Sequence, residues 1–148
     1  MDKPLTKWYC DVCGNVIDDI DEAYVIWQSH DILKYHGFKI IHQRKCDIKG
    51  YVASNALKEF VGEKGATYLL SFLSVGPLKH NPENPYCKVT DIDEFVDFFR
   101  RCQVPYYEEA RRLFGDSDLQ ENFGDANEYY PYIPDVLKRI IAEYPKKY

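Results

Sequence analysis

The sequence predicts an α+β fold, a β-hairpin near the N-terminus followed by a compact, mainly helical region. Three observations carry this. Residues 23–28 and 38–42 are dense in β-branched and aromatic side chains, as strands are. From residue 54 onward, apolar residues recur at helical spacing between Ser, Thr or Pro starts and Gly or Pro stops. Two pairs of metal-ligand residue types, Cys10/Cys13 and His42/Cys46, bracket the strand-rich stretch. The expected division is a hairpin module over 1–50 and a helical region over 51–148, unless the two run on as one continuous domain.

Taken in order, "CGN" after Cys13 is turn chemistry and "DDIDE" an acidic connector. "AYVIWQ" and "FKIIH" are the two strands, with "HDILKYHG" as the loop or irregular piece between them. Pairing them returns the end of the second strand toward Cys10 and Cys13. "SNALKEFVG" (54–62) has a helical pattern with a Ser start and a Gly stop. "ATYLLSFLSVGP" (66–77) predicts a second helix, and the three prolines that follow in "PLKHNPENP" mark an extended loop. "TDIDEFVDFFRRC" (90–102) predicts a helix capped by Thr90 with Asp93 three residues on, and a stripe at 92, 95, 96, 99 and 102. "PYYEEARRLFG" (105–115) and "PDVLKRIIAEY" (134–144) each open on Pro at the first helical position. Phe95, Phe99 and Cys102 are expected to share a core with Leu137 and Ile141.

The chain has 148 residues, 45% of them hydrophobic, enough to bury a core without metal holding all of it together. No apolar run approaches the roughly 20 residues of a membrane span. "MDKPLTKW" lacks the apolar stretch of a signal peptide, so a cytoplasmic location is expected. There thiols stay reduced, and five cysteines, an odd count, argue against a closed disulfide framework. The net charge of −5 speaks against non-specific nucleic-acid binding, which Lys and Arg carry.

Cys10, Cys13, His42 and Cys46 form the strongest chemical constellation. A Cys-x2-Cys knuckle delivers two thiolates to one ion, and the following Gly14 permits the turn. His42-x3-Cys46 delivers a second pair, and four such ligands suit a structural Zn²⁺. His30 or His36 could take the place of His42 on spacing alone. A thioredoxin-like redox pair would need a following helix in a βαβ setting, and "GNVIDDIDE" supplies neither. His80 stands in the Pro-rich loop without a metal partner in sequence. Cys102, on its helix stripe, reads as a small buried hydrophobe. Cys87 has no activating base beside it.

"GDSDLQENFGDANE" (115–128) invites a calcium reading, but Glu121 and Asn127 stand where an EF-hand needs Gly and Glu, so a solvated acidic loop is expected. Glu108 and Glu109 are adjacent on a helix and do not face each other as paired catalytic carboxylates would; Glu108 can pair with Arg112. No G-x-S-x-G, P-loop, G-x-G-x-x-G or H-E-x-x-H motif is present.

The knuckle, hairpin and His/Cys pair resemble the zinc-ribbon and treble-clef class over about the first third of the chain. The resemblance implies a structural metal and a surface presented to protein or nucleic acid. Members of that class commonly use four cysteines, so the histidine leaves the subclass open. The remainder, with "VPYYEEARRLF" and "NEYYPYIPDVLKRII", is similar to small uncharacterised bacterial proteins, which implies no activity. The expected function is a non-enzymatic interaction protein, an adaptor or regulator with a protein partner. The acidic balance, the 13 tyrosines and the missing catalytic motifs favour it. A nucleic-acid-binding regulator rests only on "HQRK" and Lys49. A zinc hydrolase would need three protein ligands and an open position.

Overall fold

The computed structural model describes residues 3–30, 34–51, 53–81, 83 and 87–144. The chain is mixed α and β and forms two compact units, one of residues Thr6–Gln103 and one that takes the chain from Val104 on together with the few residues before Thr6. Residue 50, the expected boundary, lies inside the first unit. Among the described residues no helix is long and apolar enough to cross a membrane.

In the first unit, strands β1 (Trp8–Tyr9) and β2 (Val16–Ile17) pair antiparallel around the Cys10–Cys13 turn. Trp8 and Ile17, partners in register, are both buried. The expected hairpin forms from β3 (Ala23–Ser29) and β4 (Tyr35–His42), with Ala23 opposite His42 and a register shift between Ile26 and Gln28. Hence β4 ends beside the start of β3 and delivers His42 to the end where Cys46 follows.

A third strand, β5 (Ala53–Ala56), pairs with the other edge of β3, giving the order β4-β3-β5. This corrects the helix expected over 54–62. The backbone groups along β3 need partners on both sides, and pairing outweighs the local pattern. Leu57 and Phe60 reach the core from a short 3₁₀ turn (Leu57–Phe60), since a three-residue spacing suits that turn as well as an α-helix. Helix α1 (Gly62–Leu70) begins at the glycine that was expected to end one. A side chain at Gly65 would lie 2.2 Å from the Phe60 carbonyl carbon, so the chain can fold back on itself there only with glycine. The helix stops short of the expected 77 in tight turns, with Ser71 Oγ donating to the Tyr68 carbonyl at 2.5 Å.

Helix α2 (Ile92–Gln103) is capped by Asp91, whose Oδ1 accepts from Glu94 N at 3.2 Å. The Thr90 hydroxyl, expected to cap, donates to the Tyr35 carbonyl at 3.0 Å instead. Glu94 Oε1 accepts from Gly37 N at 2.5 Å and Phe38 N at 3.2 Å, fastening the helix to β4. The buried phase is Phe95, Phe98, Arg101 and Cys102; Phe99 is half-buried and Ile92 exposed. Phe98 stacks on Phe38 at 5.1 Å and meets Phe60 edge-on at 5.5 Å. Trp27, Phe72 and Phe95 complete this aromatic cluster.

The second unit holds α3 (Tyr107–Arg111), α4 (Ser117–Phe123), a 3₁₀ turn at Tyr130–Tyr132 and α5 (Pro134–Glu143). Tyr107, Ala110, Leu113, Leu119, Val136, Leu137 and Ile140 form its own buried cluster. Leu137 therefore does not share the aromatic cluster of Phe95, which corrects the common core expected for the two stripes. Helix α3 starts two residues after Pro105, because Tyr106 takes the left-handed conformation (φ 68°). The stretch expected as an acidic loop contains α4. Asp116 caps it by accepting from Leu119 N at 3.1 Å, a role that accounts for one of the acids.

Candidate metal centre

The first ligand turn grows out of β1. Cys10 N donates to the Asn15 carbonyl and Gly14 N to the Cys10 carbonyl, both at 2.9 Å, closing a tight loop. Gly14 sits at φ +76°, a conformation that a side chain would strain. Val12 N points at Cys10 Sγ at 3.4 Å. The second turn leaves β4 at His42. Cys46 N donates to the His42 carbonyl at 3.2 Å, and Arg44 absorbs the reversal at φ 67°.

These turns bring Cys10, Cys13, His42 and Cys46 together with all four ligand atoms within 4.8 Å of one another. His42 Nδ1 lies 3.4 Å from Cys13 Sγ and 3.7 Å from Cys46 Sγ. Around a tetrahedral ion with ordinary zinc bond lengths, sulfur and nitrogen ligands stand about 3.6 Å apart. Those two separations match the spacing around one ion, and the whole set lies close enough to hold one. His42 Nε2 faces the Val16 carbonyl at 3.3 Å. A carbonyl only accepts, so that contact places the ring proton on Nε2 and leaves the Nδ1 lone pair for the metal. Cys10 and Cys46 are buried, His42 half-buried and Cys13 exposed.

Three thiols so close cannot all ionise without a cation among them. Burial works to raise the Cys10 thiol, but backbone N–H groups of Cys13, His42 and Val12 and the His42 side chain outweigh it and hold Cys10 at about 6. Burial raises Cys46, and hydrogen bonding and repulsion from Cys10 and Cys13 push it further, to about 11. The two shifts run in opposite directions, so Cys10 ionises before Cys46. A bound cation removes the repulsion and draws the proton off Cys46.

Asp11, between the first two ligands, ties the turn to the rest of the unit. Its N–H donates to the Ile40 carbonyl at 2.8 Å, and its Oδ2 accepts from Ile40 N at 2.8 Å. The same oxygen accepts from Arg101 Nη1 at 2.7 Å. Arg101 Nη2 donates to the Tyr9 carbonyl at 3.2 Å, and Trp8 Nε1 to the Arg101 carbonyl at 3.0 Å. Arg101 is 3% exposed, so its charge is compensated inside the protein by the knuckle itself. Sequence reasoning missed this pair. The available signal was an arginine one turn after Phe98, inside the apolar phase of α2.

His30 and His36 stack on each other, ring centroids 4.3 Å apart, and neither belongs to the Cys/His cluster. His80 and Cys87 are exposed, and Cys102 is fully buried as expected. Among the described residues no other group of three or more Cys, His, Asp or Glu side chains converges in this way. Comparison with family models, with curated proteins and with solved structures finds no match to this chain. What the molecule carries is a Cys₃His cluster able to hold one metal ion.

Proposed function

We propose that the cluster holds one structural Zn²⁺ and that the protein is a non-enzymatic adaptor or regulator acting in the cytoplasm through protein–protein contacts. The observation that carries this reading is the convergence of four protein ligands within 4.8 Å of one another. Three thiolates and an imidazole in a tetrahedron are the donor set of zinc, and four protein ligands leave no position for a catalytic water. The metal then fastens the knuckle to the end of β4 and supplies no chemistry of its own.

Nucleic acid is the weaker partner class. Arg44 and Lys45 line a polar hollow of about 550 Å³ beside His42, but Asp21 and Glu22 line it too. Such a surface neutralises few phosphates. The test is capture by the zinc-bound protein from the native cell lysate, with bound protein and nucleic acid both identified. Nuclease-resistant capture of protein is expected. Capture lost to nuclease, or hydrolysis by the purified zinc form, would replace this reading.

A further inference from the structure

The three thiols of the cluster are not equally placed. Cys10 and Cys46 are 3% and 6% exposed, whereas Cys13 is open to solvent. All three Sγ atoms lie within 4.8 Å of one another. A disulfide bond is about 2.0 Å long, so the thiols start within side-chain reach of one another. The other exposed thiol, Cys87, belongs to no such group among the described residues. Solvent therefore meets one sulfur of the cluster directly, and that sulfur has buried thiols behind it.

The two turns differ in what holds them. Cys10 and Cys13 share one short loop, closed by Cys10 N on the Asn15 carbonyl and Gly14 N on the Cys10 carbonyl. Asp11 bonds both backbone groups of Ile40, and Arg101 bonds Asp11 and Tyr9. Cys46 stands on the other turn, whose backbone ties are Gln43 N on the Glu22 carbonyl and two contacts within the turn itself. Arg44 sits there at φ 67°, a conformation that costs a residue with a side chain. Joining Cys13 to Cys10 closes a shorter loop than joining it to Cys46, and shorter loops cost less entropy to close.

We infer that the cluster is a reversible switch for hydrogen peroxide: Cys13 meets the oxidant, Cys10 resolves it as a Cys10–Cys13 disulfide, and the His42–Cys46 turn is set free. The inference rests on the structural-zinc reading and adds a signal that empties the site. As a metal ligand, Cys13 is already a thiolate and needs no base to activate it. Its Sγ attacks one peroxide oxygen; the O–O bond breaks, hydroxide leaves and Cys13 becomes a sulfenic acid. Cys10 Sγ then attacks that sulfur; the S–O bond breaks and a second hydroxide leaves. Two thiolates have given two electrons, and peroxide has become two hydroxide ions. His42 and Cys46 remain, too few for a closed site. The disulfide takes the place of the ion in closing the knuckle, while nothing replaces it for the 42–46 turn. Recovery is thiol–disulfide exchange, and Cys13 is the exposed sulfur that a reducing thiolate reaches.

The test is stoichiometric hydrogen peroxide on the full chain reconstituted with zinc, carrying Cys87→Ser to remove the other exposed thiol. Released zinc is read with a chromogenic chelator, disulfides by differential alkylation and peptide mass, and local order by amide exchange. About one equivalent of zinc should leave in step with one Cys10–Cys13 disulfide. Cys46 and Cys102 should stay free thiols, and dithiothreitol with added zinc should restore the starting state. Protection should be lost over residues 42–46 and kept over 8–17, whereas a chelator loosens both. Zinc retained with Cys10 and Cys13 still free, sulfinic acid at Cys13 in place of a disulfide, or a Cys13–Cys46 bond would overturn the switch and leave the structural-zinc reading standing. A chain that binds no zinc before peroxide is added would remove that reading and the switch with it.

Discussion

Between Trp8 and Ile17 only Trp8, Cys10 and Ile17 are buried, whereas from Tyr107 to Ile140 seven side chains close a cluster on one another. The first stretch has two short strands and a turn, too little apolar surface to repay the ordering of its backbone. It is held by the Asp11–Arg101 pair and by Trp8, and a metal on the four Cys/His ligands would fasten it further. The second stretch has short helices with apolar phases that meet, and it contains no member of the Cys/His cluster. The contrast teaches where a metal would matter: at the knuckle, where local burial is too small to hold the chain, and not in the helical unit.

The sharpest way to break this contrast is to strip the metal. Chelation should abolish amide-exchange protection over residues 8–17 and 42–46 while protection within α3–α5 stays near its starting level, because zinc binding in small sites is itself folding free energy. Uniform loss of protection in both regions would show that they are not independent. A second test lies in the aromatic cluster. Phe98→Ala should cost roughly 3–5 kcal/mol by denaturant unfolding, as large aromatic truncations in cores do. Phe99→Ala, half-buried, should cost distinctly less, about 1 kcal/mol. Equal losses would mean that the buried phase of α2 is misassigned.

In the helical unit, Leu137→Ala should cost roughly 2–4 kcal/mol and leave the metal content unchanged. Loss of metal in that variant would break the contrast from the other side. Arg101→Met should cost roughly 2–3 kcal/mol, below the usual range for breaking a buried pair because the Asp11 side chain is 22% exposed. The same change should weaken metal binding about tenfold, the effect of losing a group that orients a ligand turn. Combining it with Asp11→Asn should cost less than the sum of the two single changes, because the carboxylate is then no longer left unpaired.

Much of the site can be read from sequence because its chemistry is local. Cys10 with Cys13 and His42 with Cys46 are each set by a few residues of spacing, and β3 and β4 announce themselves by composition. What the sequence hides is long-range. Asp11 and Arg101 are 90 residues apart, and nothing local to either shows that they meet. "SNALKEF" has helical spacing, yet pairing with β3 makes its first half a strand. The run "EFVDFF" offers apolar residues in several phases, so the choice between Phe98 and Phe99 needed the neighbouring sheet. The acids of 115–128 conceal α4 because one of them is its cap and the others are solvated on it or in the turns after it.

The central claim is one metal ion on Cys10, Cys13, His42 and Cys46. Elemental analysis of protein freshly purified without chelator, with Cys46→Ser prepared alongside, tests it most directly. Close to one equivalent of zinc in the parent and a large loss in Cys46→Ser is the predicted result, since a closed site needs all four ligands. Less than about half an equivalent in the parent, or unchanged zinc in Cys46→Ser, would contradict a closed four-ligand site.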